Sequence, residues 1–89
     1  MIERDLEIVN KLGLHARAAA KLVNLAGSFE ASVDLEKEGQ RVNGKSIMGV
    51  MMLAASQGTT LRLLVDGEDE EEAVAQIVEL VNDHFGEDE

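Results

Sequence analysis

Ile2, Leu6 and Ile8 alternate with Glu3, Asp5 and Glu7 at the start of the chain. That period of two predicts a half-buried strand over residues 2 to 8. After the turn "NKLG" the period lengthens to that of a helix. Ala19, Leu22, Val23 and Ala26 fall at i, i+3, i+4 and i+7, which predicts a helix over 16 to 26 with those residues inward. Arg17, Ala20, Lys21 and Asn24 then lie on its exposed side, and Gly27 is placed to end it in the left-handed conformation. Alternation returns at Ala31, Val33 and Leu35 for a second strand, and "KEGQ" turns the chain into a short third strand over 40 to 43.

"NGKS" leads into a second, short helix over 47 to 53, with Ser46 in the N-cap position. "TLRLLVD", residues 60 to 66, is more continuously apolar and predicts a central strand. Asp69 with Glu72 forms the sequence pattern of a capping box at the start of the last helix, where Glu70 and Glu71 suit the positive end of the helix dipole. Val74, Ile77, Val78, Val81 and Phe85 make its buried stripe, and the terminal "GEDE" is expected to fray into solvent. The order is β-α-β-β-α-β-α. One four-stranded sheet whose helices cover a single face is an α+β domain with its other face open to water. At 89 residues the chain is expected to form one domain, 1–89, with one modest core.

Composition narrows the function. The net charge is −10, against the clustered Lys and Arg that nucleic acid or anionic membranes need. Phe29 and Phe85 are the only aromatic residues, too few for a base-stacking platform. Cysteine is absent, which removes disulfides, thiolate chemistry and cysteine-ligated metal. No apolar run is long enough to span a bilayer, and "MIERDLEIVN" reads as a strand and not as a signal peptide, so a cytoplasmic protein without membrane insertion is expected. The distribution of charge adds to this. No acid lies between Glu7 and Glu30, where Lys11, His15, Arg17 and Lys21 fall, or between Glu38 and Asp66, where Arg41, Lys45 and Arg62 fall. Chance with helix-dipole matching accounts for the two windows as well as a pair of surfaces that face anions or acidic partners.

The candidate chemistry is at His15. Ser, Thr, Asp or Asn ordinarily caps a helix, and here an imidazole stands in that place with Arg17 two residues on. A helix N-terminus offers unpaired N–H groups and a partial positive charge, a ready site for an anion. A phosphoryl group on a ring nitrogen of His15 would meet the Ala16 and Arg17 N–H groups and the Arg17 fork, and Gly13 permits an unusual backbone in the turn before it. The positive end of the dipole disfavours imidazolium and so favours a neutral, nucleophilic ring. A polar surface histidine is the competing reading, since His-x-Arg alone is a weak motif. His84, at the far end of the last helix, offers no partner for a metal site.

"GLHARAA" followed by "KLV", and about thirty residues later "NGKSIMGVMML", resembles the HPr family, the small phosphocarriers of the phosphoenolpyruvate-dependent phosphotransferase system. The likeness runs over the whole chain. It implies an open-faced β-sandwich of four antiparallel strands under three helices, and a carrier, not an enzyme, that needs no cofactor. It implies that His15 is phosphorylated on the ring nitrogen nearer the backbone, with Arg17 as charge partner. Enzyme I would be the donor and an enzyme IIA domain the acceptor. Ser46 would be a regulatory site for an HPr kinase, where a phosphate would gain from the helix dipole. Ile47, Met48, Met51 and Met52 exceed what one short helix can bury, and adaptable Met suits a surface that fits several partners. Exposed members of that group, with Arg17, Ala20, Lys21, Asn24 and Lys45, form the expected docking face of a monomeric carrier. Ala18 stands where the family usually has Pro, which keeps the helix and restores one N–H at the anion site. "HFGEDE" leans towards the family's nitrogen-related regulatory branch, and "GKSIMGVM" towards sugar-uptake relatives. A regulator that binds partners under Ser46 control without transferring phosphate is the competing class, and the presence of both His15 and Arg17 weighs against it.

Overall fold

A computed structural model describes residues 1 to 87. The elements run β1 (Ile2–Glu7), α1 (Ala16–Gly27), β2 (Ser32–Lys37), β3 (Gln40–Asn43), α2 (Ile47–Met52), β4 (Thr60–Asp66) and α3 (Glu70–Asn82), followed by a 3-10 turn at His84–Gly86. The four strands form one antiparallel sheet in the order β1-β4-β2-β3. β4 is interior, as its apolar run predicts. Register explains the core. Leu6 lies opposite Leu61, Val33 opposite Val65 and Leu35 opposite Leu63, and all six point beneath the helices. Leu22, Val50, Ile77 and Val81 close on them from the helix layer. The opposite face carries cross-strand ion pairs, Arg41 Nε to Asp34 at 2.8 Å and Arg62 to Glu3 at 3.4 Å. Such exposed pairs add little stability and mark that face as solvated.

The predicted elements form with nearly the predicted bounds, and three local readings need correction. Gly27 does not stop α1 in the left-handed region. The helix includes it and ends at Ser28, which is right-handed and whose hydroxyl bonds the Leu25 carbonyl at 2.6 Å. Phe85 is fully buried but lies outside α3, in the 3-10 turn, at φ +55°. The chain kinks after Asn82 and turns the ring back onto the core.

The third correction concerns Asp69, which makes no side-chain cap and no box with Glu72. Its carboxylate instead accepts the N–H groups of Glu30 at 2.9 Å and Ala31 at 2.8 Å, across the link from α1 to β2. Two backbone donors aligned with the two oxygens win over one donor in its own helix. Glu70 takes the role nearer home, accepting from the Gly67 N–H at 3.1 Å, while Glu72 bonds Gln76. The Glu30 and Ala31 donors hold the Asp69 carboxyl below its ordinary 3.8. A depressed carboxylate contributes stability that is present above its unfolded value and lost as pH falls through the folded one. Asp69→Asn is therefore expected to lower Tm at neutral pH, since its amide NH2 must face one of the donors. The gap from wild type should narrow as pH drops below 3.8, which paired thermal melts would measure.

Candidate functional site

The link from β1 to α1 is fixed before it reaches His15. Ile8 extends the ladder to Thr59, and the Leu14 N–H donates to the Ala55 carbonyl at 2.8 Å. Asn10, fully buried, donates its amide to the Gly13 carbonyl at 2.9 Å and closes the turn from within. Gly13 is at φ +69°, and a Cβ there would fall 2.6 Å from the Ala55 carbonyl oxygen, so this turn needs the conformation and the bare backbone that glycine supplies. Buried Leu14 then anchors the chain just before the helix.

His15 is the N-cap of α1, with extended backbone (φ −74°, ψ 178°). Its Nδ1 accepts the Arg17 N–H at 3.2 Å, and its carbonyl accepts the Ala19 N–H at 2.8 Å. The imidazole thus does the work of an Asn or Ser cap while 29% of the side chain stays exposed. Because Nδ1 is an acceptor here, the neutral ring carries its proton on Nε2, a tautomer assigned from the hydrogen-bond network. The Ala16 and Ala18 N–H groups belong to the same first turn, which has no carbonyls to satisfy them. With Ala in place of Pro, position 18 keeps its donor, and its methyl is fully buried.

An open pocket of about 910 Å³ lies over this helix start, lined by Lys11, Leu12, His15, Arg17, Lys21 and Glu87 among others. Arg17 is exposed and lines it. Lys21 is exposed too, but its Nζ donates to the Phe85 carbonyl at 2.6 Å and ties the C-terminal turn to α1. Lys45 is similarly engaged, bonding the Phe29 carbonyl at 2.8 Å. Both lysines of the expected docking face are therefore partly spent on structure.

Glu87 is the residue that sequence reading missed. The tail expected to fray is instead folded onto the site at Glu87, while Asp88 and Glu89 lie outside the described residues. One Glu87 oxygen pairs with His15 Nε2, and the other accepts the Asn10 amide at 2.9 Å. The Asn10 amide first, then His15, holds the Glu87 carboxyl below its ordinary 4.5, with the Lys21 charge adding to this and burial opposing it. The window around His15 is free of acid only along the chain; the fold brings one in from 72 residues away. Asn10 had a local signal, an Asn three residues before a turn glycine. Glu87 had none, beyond its place two residues after an apolar Phe.

The other expected residues fall as follows. Ser46 caps α2, its hydroxyl accepting the Gly49 N–H at 3.2 Å. Asn24 is exposed and Ala20 half-buried on α1. Ile47, Met48, Met51 and Met52 are exposed by 40, 71, 43 and 65%, so the short helix leaves most of its large side chains outside the core. Leu12, beside His15, is 69% exposed and extends the apolar surface. α1 packs on α2, which places these groups in one layer with the histidine. Among the described residues no three His, Asp or Glu side chains are grouped to hold a metal, and no helix is long and apolar enough to cross a membrane.

Known proteins share this fold. Residues 2–83 match the family model described as "PTS HPr component phosphorylation site". The chain is 54% identical to the phosphocarrier protein HPr of Cupriavidus necator over the full length of both, and 46% identical to the HPr-like protein Crh of Bacillus subtilis, with 93% of this chain and 98% of that one covered. The crystal structure of HPr-C-His from Thermoanaerobacter tengcongensis superposes with a TM-score of 0.96 at 47% identity, each chain fully covered. A histidine-capped helix over an open-faced sheet, in a chain this similar to phosphocarriers from end to end, belongs to the HPr family of the phosphotransferase system, whose members carry phosphoryl groups and are not enzymes.

Proposed function

We propose that His15 accepts a phosphoryl group on Nδ1 from phosphorylated enzyme I and passes it to an enzyme IIA domain. The observation that carries this is the acceptor role of Nδ1, whose lone pair faces the Arg17 N–H at the start of α1. In transfer, that lone pair forms the N–P bond as the donor's bond to phosphorus breaks, its electron pair returning to the donor. The Arg17 N–H leaves Nδ1 and turns to a phosphoryl oxygen. The Ala16 N–H and the exposed Arg17 guanidinium meet the others, where the helix dipole favours negative charge. Handling of phosphoenolpyruvate and of the metal belongs to the donor. Little covalent work is left to the carrier beyond holding one nucleophile in place.

Two different proteins must dock in turn, and the exposed Met48, Met51, Ile47 and Leu12 give them an adaptable apolar surface beside His15. The chain is proposed to work as a monomer that leaves this face open to each partner. Incubation with enzyme I, phosphoenolpyruvate and magnesium should add one acid-labile phosphoryl group, seen by intact mass spectrometry. No adduct, with an enzyme I proven on another carrier, would overturn the reading. Offering the phosphorylated chain to IIA domains of the sugar and the regulatory branches identifies the receiver.

Ser46 is proposed as a point of regulation. A phosphate there would keep the cap to Gly49 and place negative charge among the exposed methionines. Ser46→Asp is expected to leave thermal stability near wild type, since Asp is as good a cap as Ser, and to slow phosphoryl acceptance several-fold. Unchanged acceptance rates would remove the regulatory role.

A further inference from the structure

The pairing of Glu87 with His15 has the form of an orienting device. Asn10 is fully buried, and its NH2 donates to the Gly13 carbonyl and to Glu87, each at 2.9 Å. Its orientation is not ambiguous, because a flipped amide would set its oxygen against two acceptors. Its Oδ1 finds no partner among the described residues, so the turn gives up a buried acceptor to aim both donors. Glu87 is thereby held from the inside. Lys21 holds the preceding turn through the Phe85 carbonyl, and buried Phe85 anchors it to the core. The free Glu87 oxygen meets Nε2 of His15, on the opposite side of the ring from Nδ1.

We propose that Glu87, braced by Asn10, is a positioning residue for phosphoryl transfer, keeping the proton of His15 on Nε2 so that Nδ1 presents its lone pair. This rests on the reading of His15 as the phosphoryl acceptor. Two contacts fix the ring, one on each nitrogen, and they agree on one tautomer. When the Nδ1–P bond forms, the Nε2 proton stays on the ring, which gains a positive charge beside the Glu87 carboxylate. A paired, protonated ring is the better leaving group when the next acceptor attacks phosphorus. The electrostatics are those of a carboxylate behind a catalytic or metal-bound imidazole.

Glu87→Gln separates this role from simple packing, because the side chain keeps its size. If the amide oxygen faces Asn10, its NH2 faces Nε2 and favours the tautomer with the proton on Nδ1. If the oxygen faces His15, two NH2 groups oppose each other at Asn10. The ring tautomer is read from long-range proton–nitrogen-15 correlation of His15, and phosphoryl acceptance from phosphoramidate, a small donor that releases ammonia as its P–N bond breaks. Wild type should show Nε2–H almost alone. Glu87→Gln should show a clear Nδ1–H share and accept phosphate about tenfold more slowly. An unchanged tautomer ratio in Glu87→Gln overturns the proposal whatever the rate, and so does a wild-type ring protonated on Nδ1. Failure of wild type to take any phosphate would instead strike the His15 reading, which the tautomer measurement does not depend on.

Discussion

His15→Ala is expected to abolish phosphoryl acceptance and to leave the fold intact. Among the described residues the ring makes two hydrogen-bonding contacts, with the Arg17 N–H and with Glu87, and neither supports the core. Its loss returns one N–H of the first turn to water and leaves Glu87 its bond from Asn10. That should cost about 1 kcal/mol, the typical loss for a helix cap. His15→Asn sharpens the test, because Asn is a better cap than His and restores the bond to the helix start. It should match or exceed Ala in Tm and still take no phosphate. Mass spectrometry for the adduct and thermal melts for stability check both variants together. A residual adduct on His15→Asn would mean that a different residue accepts the group. Equal loss of stability and transfer would mean that the histidine is architectural.

The fold was legible in the chain because its signals are local. Period-two alternation in β1 and β2, the i, i+3, i+4, i+7 stripe of α1 and the apolar run of β4 each report burial within one element, and each element formed. His15 and Ser46 were legible as caps for the same reason, since a cap acts on N–H groups two or three residues ahead. Of the readings that failed, those at Asp69 and Glu87 were decided by distant groups. Asp69 has the right spacing for a capping box, but two N–H groups nearly forty residues earlier in the chain offered its carboxylate a better pair of bonds. Gly27 has the right place for a left-handed stop, yet α1 includes it and ends one residue later at Ser28. Glu87 is one of several terminal acids, and nothing beside it in sequence reveals that Asn10 and His15 wait for it. The half of the site that caps a helix could be read, and the half that closes over the ring through the C-terminal turn could not.

Phe85→Ala is the substitution expected to cost most. Phe85 is among the largest fully buried side chains, and it is reached through a kink at φ +55° that a non-glycine residue adopts only when packing compensates. Removing the ring opens a cavity and withdraws that compensation. The expected loss is about 3–5 kcal/mol, a large fraction of the roughly 5–15 kcal/mol by which a small domain is stable. Tm should fall on the order of 15 °C or more. A second effect follows from position. The Phe85 carbonyl holds Lys21, and Glu87 lies two residues beyond. Freeing the turn should release Glu87 from His15 even where the rest of the chain remains folded. At a temperature well below its midpoint, Phe85→Ala should then move the His15 tautomer, and slow acceptance, in the same direction as Glu87→Gln. Phe85→Leu, which refills most of the cavity, should recover stability and tautomer together. If Phe85→Ala melts early but keeps the wild-type ring state while folded, the C-terminal turn holds itself in place through Lys21 and Asn10, and the ring of Phe85 serves the core alone.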